Sequence, residues 1–229
     1  MKLKEKFAFT LAEVLITLGV IGVVAAITIP GLITSYNKKI TETRLAKFYS
    51  VFNQAIRLSV VENGDVDTWD DYWDNNGTIT GGQENQTGVE KAFDTYLRPY
   101  MQIAYKKRIH HGQDKILYVL PDGGAFAYNV WGTRDITFFP KDAEKCIARN
   151  KPIGTCSFMF IFYPISEAES WKYHYNKGIE PYLYDWDGSE AHLKSGATYS
   201  CANSGYYCTA MIKNNGWKIP KDYPLKLQY

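Results

Sequence analysis

The residue best placed to have a chemical role is Glu13. It is the one ionisable side chain in the apolar run FAFTLAEVLITLGVIGVVAAITIPGLI (residues 7–33). At about 1.5 Å of rise per residue, a helix of roughly 20 apolar residues spans the hydrocarbon core of a bilayer, so this run can cross a membrane. A carboxylate in such a helix costs roughly 2.5–3.5 kcal/mol at the bilayer centre, less near its edge, and requires a cationic partner. No Lys or Arg lies between Lys6 and Lys38.

A free α-amine close to Glu13 would supply that partner. If the chain is cut between Ala8 and Phe9, the new amine of Phe9 lies four residues before Glu13. Four residues correspond to about one turn of helix, and the amine of a neighbouring subunit could reach the same carboxylate. A cleavage between these two residues would therefore explain why an acid is tolerated in the apolar run.

These residues resemble the class III signal of type IV pilins and type II secretion pseudopilins. The matching features are a basic leader, an aromatic mature start, an acid and a helix-bending proline: Lys2, Lys4, Lys6, Phe9, Glu13 and Pro30. Two positions depart from the family pattern, since Ala8 stands where glycine is usual and Ala12 where a larger aliphatic residue is common. The resemblance covers about residues 1–60.

The resemblance implies a structural protein and not an enzyme. A prepilin peptidase would cut after Ala8 and methylate the amine of Phe9. The subunit would lie in the inner (or sole) cell membrane as a single-pass protein with its head extracytoplasmic. It would then polymerise with other pilin or pseudopilin subunits, through Glu13 and the N-terminal helix that bends at Pro30, into a pseudopilus for protein secretion or a type IV pilus.

The implied organisation is a leader (residues 1–8), an N-terminal helix (9–62) and an extracytoplasmic head (63–229). The helix has a membrane half (9–33) and an amphipathic half (34–62). Composition and pattern alone predict an α+β fold with an N-terminal anchor. The resemblance refines this to a pilin-like fold, in which the long helix packs on an antiparallel sheet of about four strands.

Periodicity places the other elements. Apolar residues at helical spacing predict an amphipathic helix over residues 36–62 and a shorter helix over 89–100, which Pro99 should end. Four later stretches have the composition or alternation of β-strands, and the first two flank a turn at 121–124 that predicts a hairpin: residues 115–120, 125–131, 156–163 and 206–213.

The four cysteines form two local pairs. In an oxidising space an even number of cysteines indicates disulfides, and three connectivities are possible. Short loops favour Cys146–Cys156 and Cys201–Cys208. Zinc is the weaker alternative, because neither pair has the two-to-four-residue spacing of a zinc knuckle.

One segment has oxygen ligands in a pattern that calcium favours. Asp185, Asp187 and Glu190 surround a glycine turn in the sequence DWDGSE (residues 185–190), without the full spacing of an EF-hand loop. Some major pseudopilins hold calcium near the C-terminal region, so the resemblance adds to this hypothesis. A simple β-turn is the favoured alternative, and no other cofactor is expected.

The charge balance gives no indication of a polyanionic partner. The formal net charge is +2, and removal of residues 1–8 leaves equal numbers of cationic and anionic side chains. The stretch YKKRIHH (residues 105–111) mixes aromatic and basic groups that could contact a DNA backbone. A charged hairpin edge, with the pair His110-His111 in a solvated turn, is the favoured interpretation, and nucleic acid binding is not expected.

A different kind of protein also fits the apolar run. Residues 24–26 (VAA) have the small side chains that ordinary signal peptidase accepts. Cleavage there, or no cleavage, would give a secreted or membrane-anchored head with a binding or hydrolytic activity that never polymerises. The mature N-terminus distinguishes the two hypotheses.

Overall fold

The computed structural model describes residues 10–69, 84–111, 113–128 and 132–229. The helices in these ranges are α1 (Leu11–Asn63), α2 (Glu84–Tyr96), α3 (Ala143–Ala148), α4 (Glu190–Lys194) and α5 (Cys208–Asn214). The strands are β1 (Tyr105–His111), β2 (Gln113–Val119), β3 (Ala125–Tyr128), β4 (Asp135–Phe139), β5 (Phe158–Ile161) and β6 (Glu180–Pro181). Short 3-10 turns lie at Val66–Thr68, Arg98–Tyr100 and Glu169–Trp171. The α+β class predicted from the sequence is confirmed.

The chain divides into a first compact unit that ends at Lys38 and a second that runs from Lys39 to Tyr229. In the first unit, the apolar side chains of α1 are exposed, with Leu11 at 78 % and Ile27 at 75 %. Its polar side chains are satisfied locally, since the hydroxyl of Thr17 donates to the carbonyl of Val14 over 2.9 Å. A helix that satisfies its own polar groups and exposes apolar ones suits an apolar environment.

Pro30 lies inside α1, and the helix continues through it. The proline has no amide hydrogen to donate to the carbonyl four residues earlier, and its ring crowds that turn. The expected bend at this residue stays a prediction.

The second unit contains one sheet in which six strands follow chain order, each antiparallel to the next. The predicted hairpin is confirmed, because β2 and β3 pair with Leu117 opposite Ala127 around the turn. Gly123 adopts φ +81° in this turn, a value that glycine reaches without strain. The described residues form six strands, whereas about four were expected from the resemblance.

The core of the second unit lies between α1 and one face of the sheet. Phe48 of α1 stacks on Phe138 with ring centroids 4.3 Å apart, and its ring lies 5.3 Å from Phe160 and 5.5 Å from Phe126. All four side chains are at most 1 % exposed. Aromatic burial of this kind is among the largest single contributions to a small core.

The continuous apolar run predicted as a central strand is β5, which is buried on both faces. Phe158 and Phe160 belong to the cluster that contains α1. The intervening Met159 and Ile161 belong to a second cluster on the opposite face, with Tyr207 and Leu193. Because successive side chains of a strand alternate between faces, a strand covered on both sides needs apolar residues at every position.

Two sequence predictions for secondary structure are wrong. Residues 206–213 were expected as a strand, but the structure forms α5, which packs on β5 and β6. A short apolar run does not distinguish helix from strand by periodicity, so its partners decide. The His110-His111 pair was expected in a turn, but its backbone belongs to β1 at the edge of the sheet.

Candidate functional site

Glu13 lies in the first turn of α1, where Thr10 bonds to it reciprocally. The backbone amide and the hydroxyl of Thr10 both donate to Oε2 of Glu13, each over 2.8 Å. The amide of Glu13 donates back to Oγ1 of Thr10 over 3.2 Å. This arrangement is a capping box, which satisfies backbone amides that a helix N-terminus leaves free. Thr10 was not predicted as a partner of Glu13, although Thr-x-x-Glu before an apolar run is the sequence signal for a capping box.

The capping box gives Glu13 a role that needs no α-amine. The hydrogen bonds from Thr10 occupy one carboxylate oxygen of Glu13, Oε2. No donor among the described residues lies within hydrogen-bond distance of the other oxygen, Oε1. Ala8 and Phe9 lie outside the described residues, so the pairing of the Phe9 amine with Glu13 stays a prediction. The carboxylate keeps one oxygen that a second donor can use.

α1 contains a stretch long and apolar enough to cross a membrane, and none of that stretch is buried in the described residues. A signal sequence near an N-terminus meets the same criteria of length and composition. The first unit is therefore suited to a membrane anchor or a signal sequence.

Where α1 enters the second unit, it carries a buried carboxylate. Glu42 is 6 % exposed and accepts hydrogen bonds from the amide of Ile219 over 3.0 Å and from Nζ of Lys218 over 3.2 Å. A buried charge is tolerated when it is paired and hydrogen-bonded, as here. The partners are 177 residues apart in the chain, so no local sequence signal could reveal them.

Other contacts define the same region, called here the entry end: Thr41–Arg44, the β2–β3 turn, the connection from β4 to β5, and residues 217–229. The guanidinium of Arg44 donates to the carbonyl of Pro140 over 2.5 Å and to that of Asp122. The hydroxyls of Thr41 and Tyr229 are hydrogen-bonded to each other. The entry end thus joins four parts of the chain that are distant in sequence.

Both cysteine pairs are disulfides, in the local pairing that the short loops favoured. The Cα–Cα distance is 5.9 Å for Cys146–Cys156 and 4.5 Å for Cys201–Cys208. The two closed loops pack together at Gly154, where a Cβ would lie 2.4 Å from Sγ of Cys208. Two buried disulfides are typical of a domain that folds in an oxidising space.

The segment expected to form either a β-turn or a calcium site is residues 185–190. Among the described residues, no group of three or more His, Cys, Asp or Glu side chains could hold a metal ion. Asp187 instead accepts a hydrogen bond from the amide of Ser189 over 2.8 Å and lies 3.1 Å from Nδ1 of His192. The Ser189 amide in particular lowers the pKa of the Asp187 carboxyl. Asp185 and Glu190 do not join it, so the segment is a turn that leads into α4.

The basic residues of β1 are paired with carboxylates of the neighbouring helices. Lys106 bonds to Glu90 and Asp94 of α2, and Arg108 lies 3.6 Å from Glu90. Lys107 lies between these two residues and points to the other face of the strand. Its Nζ lies 2.8 Å from Glu144 of α3. This supports a charged strand at the sheet edge, which hinders pairing with other chains, over a surface for nucleic acid phosphates.

His174 is a buried histidine whose pKa is strongly lowered. It is fully buried, and its Nε2 accepts a hydrogen bond from the amide of Leu183 over 3.2 Å. Burial, aided by the charges of Lys177, Lys213 and Arg134, lowers the pKa of His174 from 6.5 to about 3. The imidazole is therefore neutral, with the role of a structural acceptor.

The stability of the second unit should fall as the pH is lowered from 6.5, because the unfolded chain then binds a proton at His174 that the folded chain refuses down to about pH 3. The contribution is at most about 1.4 kcal/mol per pH unit. In His174→Gln, whose oxygen can accept from Leu183, the slope of unfolding free energy between about pH 5 and 6.5 should flatten. His174→Phe should flatten the slope too but lower stability at neutral pH, since the Leu183 amide loses its acceptor. Denaturant melts with parallel slopes for wild type and His174→Gln would contradict this assignment.

Comparison with protein families finds a match over most of the chain. A family described as a family of unknown function (DUF6613) matches residues 31–227, which include the second unit almost entirely. No curated protein and no solved structure matches the chain. The matched range begins after Pro30 and leaves most of the apolar run outside it.

Proposed function

This chain belongs to the family of unknown function DUF6613, and we propose that it is a pilin-like structural subunit that polymerises through its N-terminal helix. It is inserted in a cell membrane, cut by a prepilin peptidase between Ala8 and Phe9, and N-methylated on Phe9. Released subunits assemble into a type II secretion pseudopilus or a type IV pilus, and the head is extracytoplasmic.

The observation that carries the proposal is the single carboxylate of the apolar run, Glu13, placed four residues after Phe9 and behind a basic leader. A charge in lipid raises the free energy unless an opposite charge lies beside it. The Phe9 amine of a neighbouring subunit is that opposite charge. The free Oε1 of Glu13 in the capped helix is compatible with a second donor.

Two features of the structure support the proposal at a coarser level. The exposed apolar surface of α1 in the first unit suits transfer from lipid to a bundle of equally apolar helices. The second unit has an antiparallel sheet that packs on the rest of α1, and it contains two disulfides outside that sheet. Both features are compatible with a pilin-like head exported to an oxidising space.

The first test is the mature N-terminus in the native host. We expect the N-terminal peptide to begin at N-methylated Phe9, because cleavage there creates a cation within one helical turn of Glu13. Mass spectrometry of the purified membrane and filament fractions measures it. A start at Ile27, after ordinary signal peptidase, or an intact Met1 would instead favour a secreted or anchored head that does not polymerise.

A further inference from the structure

The second unit contains a cavity between α4, α5 and the segment that follows α5. Its volume is about 290 Å³. Sites for drug-sized ligands typically measure about 300–1,000 Å³, so this cavity suits a smaller molecule, of the size of a single amino acid. The side chains around it include Glu190, Leu193, Lys194, Met211, Asn214 and Asp222.

The walls of this cavity are held together by covalent and hydrogen bonds. The amide of Cys201 donates to the carbonyl of Leu193 over 2.8 Å, and the disulfide Cys201–Cys208 joins this point to the start of α5. The segment after α5 is fixed in turn, because the amide of Ile219 donates to the buried carboxylate of Glu42 over 3.0 Å. A cavity whose walls are already in place loses little entropy when it binds a ligand.

The floor of the cavity is apolar. Leu193 is buried in the cluster that covers the second face of the sheet, and Met211 is half-buried against the same cluster. The unbranched side chain of methionine adapts to ligands of irregular shape. The cavity can therefore cover a short aliphatic group.

Charged groups of both signs border this apolar floor. Nζ of Lys194 lies 2.6 Å from Oδ2 of Asp222, and this exposed pair uses one of the three hydrogens of the ammonium. An exposed ion pair contributes little to stability, so its members can take other partners readily. Glu190 lies four residues before Lys194 on α4. Within the part of the chain that the structure describes, neither Glu190 nor Asn214 has a hydrogen bond or an ion pair.

We propose that this cavity binds a small zwitterion with a short aliphatic side chain, of the class of the neutral aliphatic α-amino acids. The ammonium of the ligand pairs with Glu190 and Asp222, and its carboxylate accepts from Lys194 and Asn214. A zwitterion offers an opposite charge to both members of the Lys194–Asp222 pair, so neither is left without a partner when the ligand binds. This inference is independent of the proposed role in assembly.

The test uses the full chain in micelles of dodecyl maltoside, with isotope-labelled methionine methyl groups that are observed by NMR while valine is added. Met211 reports on the cavity, whereas Met101 and Met159 are buried and do not line it. We expect a saturable shift of the Met211 signal and none of the other two. Half-saturation should occur on the order of 1 mM, as suits a ligand of about eight non-hydrogen atoms in an open cavity.

Two truncated ligands test whether both charges are needed. Isobutylamine is valine without its carboxylate, and isovalerate is valine without its ammonium. Each should need a concentration about fivefold higher than valine, or more, because one charged side of the cavity then has no opposite charge on the ligand. Isobutylamine or isovalerate that binds as tightly as valine would overturn the proposal. A Met211 signal that does not saturate below about 50 mM valine would also overturn it.

Matched variants assign the charged groups. Lys194→Gln should weaken valine about fivefold and leave isobutylamine unchanged, whereas Glu190→Gln should weaken valine by a similar factor and leave isovalerate unchanged. The control Lys177→Gln removes an exposed cation that does not line the cavity, so it should bind valine as the wild type does. Unchanged signals of Met101 and Met159 show that each variant is folded. Wild-type affinity for valine in both Lys194→Gln and Glu190→Gln would contradict the assignment.

Discussion

A Glu13→Gln chain is expected to insert in the membrane and to be cut after Ala8 at wild-type levels, yet to be nearly absent from sheared filaments. The substitution keeps an oxygen that can accept from Thr10, and Gln serves at this position of a capping box as well as Glu does. Only the negative charge is lost, and the charge is what the Phe9 amine of an incoming subunit would bind. The measurement compares sheared-filament with membrane fractions by immunoblot.

The matched control is Thr10→Ala, which removes the cap and keeps the charge. It should cost the N-terminal end of α1 about 1 kcal/mol. Assembly should be reduced far less than in Glu13→Gln, because the carboxylate remains available to a neighbour. The two variants therefore separate the local role of Glu13, which the hydrogen bonds describe, from the role in assembly that we propose.

Glu13→Leu adds a contrast with simple anchoring. If the helix only anchors the head, removal of a charge from lipid should leave membrane retention unchanged or improve it. If the carboxylate recruits the neighbouring amine, the same change should block entry into filaments. Incorporation of processed Glu13→Gln or Glu13→Leu at wild-type levels would falsify the assembly role.

The largest loss of stability is expected for Phe48→Ala. The ring is 1 % exposed and contacts the rings of Phe126, Phe138 and Phe160. Its removal therefore leaves a cavity in the core between α1 and the sheet. A truncation of this kind costs about 3–5 kcal/mol, since the surrounding rings collapse only in part. For a domain of this size, the melting temperature should fall on the order of 10 °C.

Leu58→Ala provides the control on the same helix. Its side chain is 44 % exposed, so less apolar surface is lost, and the expected change is within about 0.5–1 kcal/mol. Calorimetry or denaturant melts of both variants under oxidising conditions measure the difference. Equal melting temperatures for Phe48→Ala and wild type would show that the core does not depend on the contact between α1 and the sheet.

Much of this protein could be predicted from local sequence. The apolar run, the amphipathic helix after it and the β2–β3 hairpin were predicted because hydropathy, periodicity and turn chemistry act over a few residues. The disulfide pairing was predicted because the two loops are short. The acid Glu13 was found for the same local reason, although its capping partner Thr10 was overlooked in a motif that the sequence displays.

Other features were decided by the tertiary structure. In these, the secondary structure, burial or protonation of a residue depends on partners that are distant in the sequence. The strands β4 and β6 and the helix α5 are short, and their conformation depends on what packs against them. The burial of Glu42 depends on Ile219 and Lys218, and the neutrality of His174 depends on its exclusion from water. The sequence by itself determined the apolar helix, its single acid and the α+β class, because these follow from residue types in order. Which charges are paired at the entry end was decided by folding, because ion pairing requires positions in space that no local pattern records.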